Sequence, residues 1–193
     1  MMQMLILLIT FPNWINSYHL HERNLLKQTF SFISEFNTNS ISQERLEEYR
    51  YELKNDPRKA ERELGRVIII LGNHIDDVQS RILGSFYAAY VKGAISWEKF
   101  CELSEANRRM FVSDYTILYQ AVHENGLNLQ GRELYQVDRL ISLGLLQNHN
   151  RLGGSVWIEI KNDGSGEPKQ EKDIIVTSFG KTFCQHMQHE HRP

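Results

Sequence analysis

His186, His189 and His191 fall within six residues, and the i, i+3 spacing of the first two puts both rings on one helical face, as zinc ligands require. Only two residues follow His191 as a scaffold, so a solvated tail is the expected state and no metal is expected. His74 and Asp77, with Asp76 between, share a helical face and have the types for acid-base or ligand chemistry. Their expected role is a surface hydrogen-bonding pair, and His19 with His21 is a weaker signal still. The segment YVKGAISWEKF has the glycine and isoleucine spacing of a calcium-binding helix-loop-helix. Aligning Gly93 to that motif's glycine sets Ala88, Tyr90, Lys92 and Lys99 where oxygen ligands belong, which leaves a tight helix-helix turn with Ile95 and Trp97 in the core. DGSG at Asp163 to Gly166 reads as turn chemistry at a hairpin tip. The chain contains no Walker loop, dinucleotide glycine fingerprint, nucleophile elbow or Cys-x-x-Cys pair. The expectation is therefore a protein that is not an enzyme, with no catalytic, cofactor-binding or metal residues and no cofactor.

Composition narrows the partners. The 193 residues suit one domain, or one domain with a small appendage. The net charge of -2 gives no global attraction to nucleic acid or anionic lipid. Cys101 and Cys184 stand beside helical apolar residues, as reduced thiols of a cytoplasmic protein do. The apolar run from Met4 to Phe11 stops at Pro12, short of the roughly 20 residues that cross a bilayer, and lacks the flanks of a secretory signal. It is a buried strand or short helix, an interfacial anchor, or part of a longer hydrophobic segment. In the anchor reading Leu5, Ile6, Leu8, Phe11 and Trp14 contact the membrane, peripherally to the inner membrane, through residues 4–15.

The elements follow from spacing and caps. Leu25, Leu26, Thr29, Phe30, Phe32, Ile33 and Phe36 recur at helical intervals between Tyr18 and Phe36. Ser40 or Ser42 caps a second helix through Leu53, and Asp56-Pro57 starts a third. Leu64, Ile68, Leu71, Ile75, Val78, Ile82 and Phe86 form one seam, so this third helix is expected to run unbroken to Val91 as a spine. Gly65, Gly72 and Gly84 within it permit close helix approach or a bend. Lys92-Gly93 ends the spine, Ser96 caps the next helix, Ser113 or Asp114 caps its continuation through Val122, and Asn125-Gly126 closes it. A helix over 130–143 places Leu134, Val137, Leu140 and Ile141 inward. The alternating runs Val156 to Ile160 and Ile174 to Val176 form a hairpin, and Phe179, Phe183 and Met187 line a last helix.

This ending has the order of a winged DNA-binding domain, in which a recognition helix precedes the hairpin. Its charges do not suit phosphate. On the candidate recognition helix Arg132 and Arg139 are cancelled by Glu133 and Asp138, and around the hairpin loop Lys161, Lys169 and Lys172 are outweighed by Asp163, Glu167, Glu171 and Asp173. Binding of nucleic acid is disfavoured, and Trp157 and Ile175 on the strands are the expected contacts for a protein partner or a second copy.

YQVDRLISLGLL followed by DIIVTSFGKTFCQHM resembles the C-terminal end of the abortive-infection alpha-like bacterial proteins, through Leu143, Gly144, Leu145, Thr177, Phe179, Gly180, Lys181 and Phe183. The resemblance covers about a quarter of the chain and implies a bacterial accessory protein linked to phage defence; it carries no catalytic residues over. The block ILGSFYAAYVKGAISWEKFCELSEANRRMF is similar to one in small bacterial proteins with apolar N-terminal segments.

The expected fold is mainly α: an apolar segment over 1–17, a helical bundle over 18–125, a wing-like module over 126–187 with a C-terminal β-hairpin and final helix, and a polar tail over 188–193. The expected function is a non-enzymatic accessory or interaction protein; the alternatives are a winged-helix DNA-binding regulator and a membrane-acting toxin or effector.

Overall fold

A computed structural model describes residues 20–129, 134–149 and 172–187. Among these residues the chain forms eight helices and one antiparallel pair of strands, grouped in two compact units, one over residues 20–112 with 186–187 and one over 113–185. The fold is mainly helical with a C-terminal strand pair and a final helix, as the spacing predicts.

The first unit contains α1 (Leu20–Thr38), α2 (Gln43–Asn55), α3 (Pro57–Asn73), α4 (Asp77–Val91) and α5 (Trp97–Arg109). Local chemistry sets their starts. Ser42 accepts a hydrogen bond from the Arg45 amide, Asp56 from the Lys59 amide with Pro57 at the first helical position, and Ser96 from the Lys99 amide. Lys92-Gly93 stops α4 in a turn where Gly93 has φ +76° and the Ala94 amide reaches back to the Ala89 carbonyl.

Helix α4 lies at the centre, buried along nearly its whole length, and packs most extensively against α1 and then α5. Gly84 permits the first contact: a β-carbon there would stand 2.5 Å from the Phe32 carbonyl oxygen. Nothing approaches Gly65 in this way, so of the three spine glycines it is Gly84 that serves close packing.

The single spine over 57–91 is not formed. The helix ends at Asn73, His74 takes an extended conformation, and Asp76 begins α4 with a capping box: its carboxylate accepts from the Val78 amide while Gln79 Oε1 faces the Asp76 amide. Two reciprocal bonds at Asp76 outweigh continuation of the apolar periodicity. The seam also rotates. Glu63, Val67, Ile70 and Leu71 are the buried residues of α3, Leu64 and Ile68 are half-buried, and Ile75 is 88% exposed in the break.

The second unit holds α6 (Val112–His123), α7 (Leu134–Ser142), β1 (Leu146–Asn148), β2 (Ile174–Val176) and α8 (Ser178–His186), the first residue of α6 and the last of α8 apart. Helix α6 starts at Val112, and Asp114 is fully buried within its first turn instead of capping it from solvent. Asn125 (φ +54°) and Gly126 (φ +122°) end it and turn the chain so that Leu127 bridges Ile174. Gly144 (φ +73°) ends α7 in the same way, with the Leu145 amide bonded to the Leu140 carbonyl, and delivers the chain into β1. Among the described residues β2 pairs with β1, with Leu146 opposite Val176 and Asn148 opposite Ile174. The strand expected at Val156 to Ile160 lies outside the described residues, as do the apolar segment 1–17 and the tail 188–193. The core of this unit includes Tyr115, Leu118, Leu140, Leu146, Ile174 and Phe183.

Candidate functional site

Three side-chain groups in the first unit are candidates, and two are interior. The first closes on itself. Asn24 Nδ2 donates to the His74 carbonyl at 2.9 Å, Gln28 Nε2 to Asn24 Oδ1 at 3.2 Å, and Ser80 Oγ to Gln28 Oε1 at 2.7 Å. His74 Nδ1 lies 2.8 Å from Ser80 Oγ. Because the one Ser80 proton is committed to Gln28, His74 Nδ1 is the donor, and its Nε2 keeps a lone pair that is buried with no hydrogen-bond partner. Burial, with the Arg108 charge second, lowers the His74 pKa to about 4, so the ring is neutral at pH 7. His74 and Ser80 therefore resemble a base and a nucleophile by type only. The hydroxyl points its proton away from the imidazole, and neither side chain reaches solvent.

This arrangement corrects the surface pair expected of His74 and Asp77. His74 is 1% exposed and bonds Ser80, Asp76 caps α4, and Asp77 pairs with Lys27 at 2.8 Å. Gln79 ties the same corner to the end of α5: its Nε2 donates to the Met110 carbonyl, and Asn107 Nδ2 donates to the Gln79 carbonyl.

The second group surrounds Glu63, a fully buried carboxylate on α3. It accepts from Tyr49 Oη at 2.7 Å, from Tyr90 Oη at 2.9 Å and from Arg62 at 3.2 Å. Tyr87 Oη lies 2.7 Å from Tyr49 Oη and donates to it, since the Tyr49 proton goes to Glu63. Burial first, and then the neighbouring oxygens, raise the pKa of Tyr49 and Tyr90, while burial raises that of Tyr87; all three hold their protons at any ordinary pH. Tyr90 and Trp97 pack with Phe100, and Trp97 is half-buried instead of fully inside, as is Ile95.

The third group is on the surface. Leu26 and Phe30, one turn apart on α1, are 58% and 61% exposed, although their spacing placed them on the inner face. The inner face is Gln28, Phe32, Ile33, Glu35 and Phe36; the spacing finds Phe32, Ile33 and Phe36, and a helical wheel that admits Gln28 and Glu35 as interior finds the rest. Glu35 is accommodated there by Ser85 Oγ, which donates to its carboxylate at 3.2 Å.

In the second unit, Arg139 on α7 is held by the buried Asp114 at 3.0 Å, and Lys172 pairs with Glu124 at 3.8 Å. These cations of the expected DNA-facing surface are engaged within the fold. Ile175 is half-buried opposite Gln147. Of the residues that carry the resemblance, several have packing roles: Thr177 Oγ1 accepts from the Gly180 amide and donates to the Gly144 carbonyl, Gly180 abuts the Leu145 carbonyl oxygen, and Phe183 stacks on Tyr115.

Trp157, Leu5, Ile6, Leu8, Phe11, Trp14, Arg132, His189 and His191 lie outside the described residues; His21 is exposed and His186 half-buried. Cys101 is half-buried and Cys184 buried, and neither forms a disulfide. Among the described residues no three potential metal ligands converge, and no helix is long and apolar enough to cross a membrane. A scan against protein-family models and searches of curated proteins and of solved structures find no match.

Proposed function

We propose that the chain is a non-enzymatic accessory protein that works by binding a protein partner through the outer face of α1. The observation that carries this reading is the pair Leu26 and Phe30. Scattered exposed apolar residues are ordinary, but a leucine and a phenylalanine on adjacent turns form a ready anchor of the kind that fills a partner's pocket. The interior polar groups support the same reading, because the hydrogen bonds of Ser80, Glu63 and the buried tyrosines are directed at one another. The likeness of 143–145 and 177–183 to abortive-infection alpha-like proteins supports a bacterial setting linked to phage defence. Association with the membrane surface through residues 4–15 is compatible with that role.

Cross-linking in the cell of origin, comparing the wild type with the Leu26→Glu/Phe30→Glu double variant, tests the reading. The expected result is one or more specific cross-linked species lost in the variant at equal protein level. Identical species in both would refute the α1 face as the contact. Flotation with anionic liposomes before and after deletion of residues 1–15 tests the membrane component; unchanged flotation removes it.

A second reading, a winged-helix DNA-binding regulator, draws on the bridge between Leu127 and Ile174, which adds a third segment to the β1 and β2 pair around α7. Salt-dependent binding to duplex DNA would support it, and no binding at low salt would exclude it.

A further inference from the structure

The Glu63 cluster is not used by the binding role. Trp97, half-buried and so within reach of solvent, has its ring centroid 5.3 Å from that of Tyr90; Tyr90 is 6.1 Å from Tyr49, and Tyr49 is 6.2 Å from Tyr87. Both Tyr90 and Tyr49 point their hydroxyl protons at one carboxylate, on its two different oxygens. A phenol that gives up an electron becomes a strong acid, so it is oxidised most readily where a base already holds its proton. A carboxylate within hydrogen-bond reach satisfies that geometry.

We propose that Trp97, Tyr90, Tyr49 and Glu63 form a relay that takes up single-electron oxidation at the surface and stores it as a phenoxyl radical inside the first unit. The co-reactant is a one-electron oxidant arriving from solvent. Trp97 gives it one electron and releases the indole proton to water. Tyr90 then returns one electron to Trp97, which recovers a proton from water, and the Tyr90 hydroxyl proton passes to Glu63. In a second step Tyr49 reduces the Tyr90 radical: the Tyr49 proton passes to Glu63 and the proton held by Glu63 returns to Tyr90. The net change is one electron to the oxidant, a neutral radical at Tyr49 and one proton on Glu63. Tyr87 donates its hydrogen bond to the Tyr49 oxygen throughout, which favours the radical at that end.

The chain has three tryptophans, so replacing Trp14 and Trp157 with Phe leaves Trp97 as the indole that is oxidised. Azide radicals made by pulse radiolysis oxidise that indole, and transient absorption follows its conversion to phenoxyl. The expected conversion is first order and independent of protein concentration, and it is lost in Tyr90→Phe. In Glu63→Gln it slows by about 100-fold, the lower end of what a positioned general base contributes. Conversion that is second order in protein, or unchanged in Tyr90→Phe, overturns the relay. Tyr90→Phe deletes one oxygen from a half-buried ring, so it decides the matter even if Glu63→Gln does not fold.

Discussion

Acidification should weaken the fold through His74 before the carboxylates titrate. The unfolded chain takes up a proton on this imidazole near its ordinary pKa of 6.5, whereas the folded chain resists until about 4. Above the unfolded value both states are neutral and the folded state has its full stability. Between the two values the unfolded state binds more protons, so stability falls with falling pH, and below about 4 the loss levels off. At about 1.4 kcal/mol per pKa unit the whole effect is roughly 3 kcal/mol, of which about 2 falls between pH 6.5 and pH 5. Burial sets the sign: the ring is 1% exposed, and a proton on Nε2 would meet no acceptor. Urea unfolding at intervals across that window measures it, with His74→Gln as the comparison, because glutamine can still donate toward Ser80. His186, whose pKa burial also lowers, contributes equally to both proteins and cancels in the difference. Equal pH dependence in the wild type and His74→Gln would refute the neutral, buried imidazole.

Three further substitutions probe the joints of the fold. Gly84→Ala drives a β-carbon against the Phe32 carbonyl and should cost about 2 to 3 kcal/mol in urea or thermal unfolding, where an open helical glycine such as Gly65 would gain stability from the same change. Asp76→Ala removes the capping box that starts α4 and should cost about 1 kcal/mol, with increased amide hydrogen exchange at Val78 and Gln79. Thr177→Ala deletes the hydroxyl that caps α8 and reaches the Gly144 carbonyl; a loss of about 1 kcal/mol is expected, and Thr177→Ser should restore most of it.

The places where sequence and structure part company have two causes, one local and one long-range. At Ile75 the apolar spacing of α3 runs straight into α4, yet the helix breaks because Asp76 and Gln79 supply a competing start four residues wide. That box is written in the chain, but it is outvoted in any reading that weighs periodicity alone. Glu63 is different. The exposed Arg62 beside it does not foretell a buried carboxylate, and its other donors, Tyr49 and Tyr90, lie 14 and 27 positions away. His74 likewise looks like a surface residue until Ser80, Gln28 and Asn24 are brought to it from α4 and α1. The strand β2 is legible in Ile174 to Val176, whereas β1 opposite it is not, because a three-residue strand carries too little pattern to select a register.

What the sequence by itself determined is the set of local stops and starts. Ser42, Asp56-Pro57, Ser96, Gly93, Asn125-Gly126 and Gly144 all act within about one helical turn, where a side-chain oxygen or a positive φ decides the outcome without reference to the rest of the chain. Only the tertiary structure decided which face of each helix turns inward. It buried Glu63 and His74 and left Leu26 and Phe30 outside, because a polar group can be interior only where distant residues complete its hydrogen bonds, and an apolar one is exposed wherever no neighbouring helix covers it.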